Sequence, residues 1–127
     1  MRRLMWMAGM AACLVLAAIV VPVFAQTGFP TRTDTYINDF NQLLSSDSQA
    51  KIRGWLVKLQ SQYNIEMTVV TINSIGDYKT SDNGTTDTSI ESFSTHLFNH
   101  WGIGDALTNK GVMLVVSKGD RKVHSKI

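Results

Sequence analysis

The chain predicts an α/β fold, a mostly buried β-sheet with helices packed on it. Twice, an amphipathic helical stripe ends at a residue suited to a left-handed turn and is followed by a short β-branched apolar run, first over Ile52–Ile72 and again over Phe93–Val116. A helix followed closely by a buried strand, and then repeated, points to layered α/β packing. Beyond the second strand, Lys118-Gly119-Asp120 has the length and the glycine of a hairpin turn, so Arg121–Ile127 is expected to return antiparallel beside it.

The N-terminus reads as a targeting segment. Arg2 and Arg3 precede eighteen uncharged residues, Leu4–Val21, and Pro22 then leads into Val23-Phe24-Ala25, small residues at signal-peptidase spacing. Residues 1–25 are therefore expected to be a signal peptide, which places the protein in the periplasm or outside the cell. Left uncleaved, the same stretch approaches the roughly 20 residues of a membrane span and would anchor the chain in the inner membrane. Cys13, the only cysteine, lies inside this leader, so the mature chain has no disulfide framework, zinc-thiolate site or cysteine nucleophile. Residues 26–35, with Gly28 and Pro30 and no periodicity, read as a linker, and residues 36–127 as the domain.

Within the domain, Tyr36–Phe40 opens the ordered structure. Ser46 and Gln49 form an S-x-x-Q capping box, in which the hydroxyl takes an orphan backbone N–H and the amide reaches back to the cap. Ile52, Trp55, Leu56, Leu59 and Tyr63 then make one apolar stripe, with Lys51, Arg53 and Lys58 left for solvent. Asn64 can stop this Ser46–Tyr63 helix in a left-handed turn, and Ile65–Ile72 is a buried strand. Asn73–Asp87 is a long polar insert of the kind that is functional or mobile. Thr88 and Glu91 form a second capping box, Ile90, Phe93, Leu97, Phe98 and Trp101 a second stripe, and Gly102 stands where a left-handed residue closes the helix. Val112–Ser117 is the next strand.

Charge narrows the partners. Without Arg2 and Arg3, ten of the twelve Lys and Arg remain against ten Asp and Glu, so the mature chain is neutral. It lacks the cationic surplus that non-specific nucleic-acid binding needs, and no nucleic-acid partner is expected. His96 and His100 have the i, i+4 spacing of two zinc ligands, but the glutamate of H-E-x-x-H is missing and both fall on the flank away from the apolar stripe, which reads as a solvated face. Asp77, Asp82, Asn83 and Asp87 do not match the EF-hand spacing.

Trp101-Gly102-Ile103-Gly104, a loop ending Asn109-Lys110-Gly111, the strand Val112–Val116 and then Asp120-Arg121-Lys122-Val123 resemble the TPM domain family, which includes thylakoid-lumen phosphatase-like proteins and exported bacterial proteins. The resemblance runs from Tyr36 to Val123 and implies a TPM-like α/β/α sandwich. In the family a further helix follows this last motif, so the domain is expected to be incomplete at the C-terminus, with one sheet face poorly covered and a marginally stable fold.

The resemblance further implies a divalent cation, calcium, held by acidic side chains and carbonyl oxygens at strand ends, and Asp39 and Asp120 stand in the matching motifs. A calcium ion takes six to eight oxygens, more than two carboxylates supply. Phosphatase activity would place Asp39 as metal ligand or nucleophile and Arg121 as the phosphate-facing cation. The first function expected is an exported cell-envelope accessory or binding module, divalent-cation-dependent, acting near a membrane protein complex. The alternatives are a metal-assisted acid phosphatase acting on phosphate monoesters, and a non-functional gene fragment. The Gly104–Gly111 loop, beyond a strand end, is a further candidate binding element.

Overall fold

The computed structural model describes residues 28–104 and 110–127, so the predicted signal peptide and most of the Gly104–Gly111 loop lie outside the described residues. The elements are β1 (Ile37–Asp39), α1 (Ser46–Tyr63), β2 (Glu66–Ile72), a 3₁₀ turn (Ile75–Asp77), α2 (Ile90–Trp101), β3 (Gly111–Ser117) and β4 (Lys122–Lys126). The fold is α/β, with four strands in the order β1-β2-β3-β4. β1, β2 and β3 are parallel, and β4 returns antiparallel beside β3. Among the described residues no helix is long and apolar enough to cross a membrane.

Both helices stop where their sequences say they should. Asn64 adopts φ 59° and donates its N–H to the Gln60 carbonyl, while Gly102 adopts φ 65° and donates to Phe98 and Asn99. Each cap is displaced by one residue. Ser45, not Ser46, caps α1 by accepting from the Ser48 N–H at 3.1 Å, and Ser89, not Thr88, caps α2 by accepting from Ser92 at 3.1 Å. Runs of Ser and Thr offer several equivalent caps, and the tertiary fold selects among them. With Ser45 as the cap, Gln49 does not bond the cap N–H and instead donates to the Leu44 carbonyl and to Asp39.

Strand alternation divides the core between two faces. Val70, Ile72, Met113 and Val115 point to one face and meet Ile90, Phe93, Leu97 and Ile103, all at most 2% exposed. Ile37 and Val69 point to the other and meet Leu56, with Ile52, Met67 and Leu114 half-buried around them. The helices therefore lie on opposite faces. Since β1, β2 and β3 succeed one another in one direction across the sheet, the two crossovers have opposite hands, and one departs from the usual right-handed rule.

On the α2 face, α2 packs on β3 and β4, and Phe29 of the segment before β1 packs against the same core together with Phe40, Ile75 and Tyr78. This segment, expected to be a linker, is tied down from Phe29 onward. Phe29 stacks on His100 at 3.9 Å, the Pro30 carbonyl accepts from Trp101 Nε1, and Arg32 pairs with Glu66 at 2.5 Å and bonds Thr68. Asp34 pairs with Arg53 on α1; burial pushes its carboxyl up, and the bonds from Arg53 and from the backbone of Ile37 and Tyr36 outweigh that, holding it at about 2.

The α1 face is closed only over β1 and β2. The expectation that Trp55 and Tyr63 are buried is corrected here: they are 67% and 63% exposed. At 100° per residue, Trp55 sits about 100° round the helix from the buried Leu56 and overhangs β3, where no further element among the described residues covers the sheet.

Candidate functional site

The C-terminal ends of β1, β2 and β3 share one edge of the sheet, where ligands of open α/β folds bind. An aspartate anchors the chain in each connection that leaves this edge. Asp39 ends β1. Its Oδ1 accepts from the Leu43 N–H at 2.9 Å and the Thr71 hydroxyl at 2.5 Å, and its Oδ2 from the Leu44 N–H at 2.9 Å and Gln49 Nε2 at 3.5 Å. Partial burial pushes this carboxyl up, and the donors from Thr71, Leu44, Leu43 and Gln49 hold it below the usual carboxylate range.

Asp120 lies in the β3–β4 turn. Its Oδ2 accepts from the Ser117 hydroxyl at 2.6 Å and the Ile75 N–H at 2.9 Å, and its Oδ1 from Ser74 at 3.1 Å. The Ser117 and Ile75 bonds lower its pKa. Asp120 thus fixes the beginning of the insert between β2 and α2.

Asp87 fixes the end of that insert, a role the sequence did not disclose. It is buried and accepts from the Thr80 hydroxyl, from the Ser92 hydroxyl at 2.5 Å, and from His96 Nδ1, which is 3.0 Å from both carboxylate oxygens. Burial raises the Asp87 pKa and the bonds from Ser92, Thr80 and His96 bring it down below the usual range. His96 is held above its ordinary value, first by the hydrogen bond to Asp87. The expected solvated flank is corrected for His96, which is half-buried and engaged by the insert, whereas His100 is exposed as expected and stacks on Phe29. Asp87 and His96 are nine positions apart across a helix start, and no spacing rule links positions so placed.

Arg121 belongs to the turn, not to the strand expected to begin there, and β4 starts at Lys122. Its N–H donates to the Lys118 carbonyl and its φ of 56° is left-handed, which completes a four-residue hairpin loop. The side chain is exposed. Gly119 before it is required by close approach, since a Cβ there would lie 2.5 Å from the Asn73 carbonyl oxygen.

These bonds bear directly on a cation. A carboxylate offers about four lone-pair sites, and at Asp39 all four face hydrogen-bond donors. Two of those donors are backbone N–H groups, whose positive ends repel an ion. Among the described residues no three His, Cys, Asp or Glu side chains gather where one ion could be shared. The arrangement of Asp39 and Asp120 fits loop anchors and does not fit a calcium ion.

Among the described residues an apolar surface is left open beside the first helix. Between α1 and β3 runs a groove of about 550 Å³, lined by Leu43, Trp55, Leu59, Met67, Leu114 and Val116 among others. Val123, opposite Val116 on β4 and 62% exposed, extends it to the sheet edge.

Comparison with known proteins agrees with this architecture. The model of the TPM domain family matches residues 37–126. The chain is also similar to the solution NMR structure of the N-terminal domain of a protein from P. gingivalis, with 30% sequence identity and a TM-score of 0.54, over 71% of this chain and 51% of that one. The chain thus spans about half the length of that solved structure. No curated protein matches it. With the family match covering the whole sheet and both helices, the chain belongs to the TPM domain family.

Proposed function

We propose that this TPM domain is an exported cell-envelope binding module, and that its groove receives an amphipathic helix of a membrane-complex partner. The observation that carries this reading is the uncovered β3–β4 half of the α1 face, with Trp55 two-thirds exposed at its margin. Contiguous apolar surface of this kind marks interaction sites, and tryptophan is prominent among residues that dominate binding energy. Two strands at about 4.8 Å spacing leave a strip about 10 Å wide, the diameter of one helix. Lys51 and Lys58 are exposed on the rim of α1 beyond Trp55, so the partner helix is expected to be acidic along that flank.

The test uses a designed helical peptide with a leucine face and a glutamate flank, titrated against the chain while tryptophan fluorescence is read. Saturable binding with a blue shift, lost in Trp55→Phe as the signal and weakened at least tenfold in Leu114→Ser, supports the reading. Absence of binding overturns it, as does binding instead to zwitterionic lipid vesicles or self-association in the ultracentrifuge. Export is tested by finding the chain in the periplasmic or extracellular fraction with a mass that begins at Gln26.

A metal-assisted phosphatase at Asp39 and Arg121 draws support from the position of Asp39 on the ligand-binding edge alone. Hydrolysis of a phosphate monoester, abolished by chelator and by Asp39→Asn, would favour it over the module.

A further inference from the structure

We propose that the insert between β2 and α2 is a proton-operated latch, in which His96 ties the loop tip around Asp82 to α2 and releases it as pH rises. The insert is built in two parts. Its base is fixed by Asp120 at one end and by buried Asp87 at the other. Its tip, residues 81–86, folds on itself: the Ser81 N–H donates to the Thr85 carbonyl, the Gly84 N–H to the Ser81 carbonyl, and the Thr85 N–H to the Ser81 hydroxyl. Among the described residues, the polar contact that fastens this small unit to the body is that of Asp82, whose Oδ1 lies 3.4 Å from His96 Nε2.

The imidazole stands between two carboxylates of very different burial. Asp87, 2% exposed at its side chain, holds Nδ1, and Asp82, 96% exposed, faces Nε2. Asp87 is the deeper anion and accepts from Nδ1 in either protonation state, so the second proton is the one on Nε2. With it, His96 bridges both carboxylates. Without it, the Nε2 lone pair faces a carboxylate oxygen, the attraction to Asp82 is gone, and the tip is free to swing.

The groups around His96 are consistent with this assignment. Both carboxylates belong to the insert. On α2 itself, His100 one turn on is committed to the ring of Phe29. β4, which also packs on α2, brings Lys122, His124 and Lys126 to that side of the sheet by register, and among the described residues none is bonded to His96. The bond to Asp87 holds the His96 pKa above its ordinary value, so the tip is held while the ring is protonated and loosens as pH rises through that raised value. Beneath the tip lies a polar cavity of about 330 Å³ lined by Ser81, Asn83, Thr85, Thr88, Ser92 and His96, and the latch governs access to it.

The test is a pH titration of the chain by NMR, following the His96 ring and the backbone order parameters of Asp82, Asn83 and Gly84. The expected result is a fall of these order parameters from rigid values near 0.85 to below about 0.6 in step with the His96 transition. In Asp82→Asn, a fully exposed change that leaves the core intact, the tip is expected to be mobile at every pH while His96 still titrates. Order parameters that do not follow the His96 transition in the wild type, or that follow it equally in Asp82→Asn, would overturn the latch.

Discussion

Asp39→Asn separates an anchor from a metal ligand. The carboxylate takes four donors, two from the backbone at Leu43 and Leu44 and two from Thr71 and Gln49. An asparagine in the same pose keeps one acceptor oxygen and turns an NH₂ toward the remaining donors, so at least one charge-assisted bond is lost and one donor meets another. Hydrogen bonds to charged groups contribute about 1.5–3 kcal/mol each, and the half-exposed position lets water replace part of the loss. A net destabilisation of about 2 kcal/mol at pH 7 is expected, equivalent to a fall in Tm of about 8–16 °C for a domain of this size.

The pH dependence fixes the mechanism. The folded pKa of Asp39 is depressed, so its stabilisation is complete above the unfolded value near 3.8 and is lost as pH falls through the folded pKa. Urea unfolding at pH 7 and at pH 3 should therefore show a gap between wild type and variant that narrows on acidification. A variant within 0.5 kcal/mol of wild type at pH 7, or a gap that appears only with added calcium and vanishes with chelator, would refute the anchor role.

Three further substitutions follow from single contacts. The Ser94 hydroxyl is fully buried on α2 without a hydrogen-bond partner among the described residues, so Ser94→Ala should stabilise the chain by about 1 kcal/mol in the same urea experiment. Arg121 holds a left-handed conformation with an exposed side chain, so Arg121→Gly should raise stability by about 0.5–1 kcal/mol, whereas a phosphate-binding role would show as lost phosphate affinity. Gly119→Ala places a methyl 2.5 Å from the Asn73 carbonyl oxygen and should cost about 1–3 kcal/mol, read as a lower midpoint with unchanged slope.

Periodicity and local chemistry were sufficient for the elements. The stripe on α2 is buried as its spacing implied, Asn64 and Gly102 close their helices in the left-handed region, and the β3–β4 hairpin forms around Gly119. These are short-range properties: a residue a few positions from its partner is brought there by helix or turn geometry alone. The resemblance at Trp101–Gly104 and Asp120–Val123 likewise named the family before any coordinates. By contrast, Trp55 had the right spacing for the core and still points to solvent, because its burial depends on what covers β3 and β4, which no helical wheel contains.

The candidate aspartates divide along the same line. That Asp39 and Asp120 would lie at strand ends was legible, and their saturation by Thr71, Gln49, Ser74 and Ser117 was not, since those donors arrive from up to 46 residues away. The Asp87–His96 pair was invisible for the same reason. What the sequence determined by itself is the set of helices, strands and turns and the family they belong to, because each follows from local backbone preference and apolar period. Only the tertiary structure decided which face each helix takes, which apolar side chains remain in water and which carboxylates are already bonded, because those depend on contacts between segments that the chain order does not make neighbours.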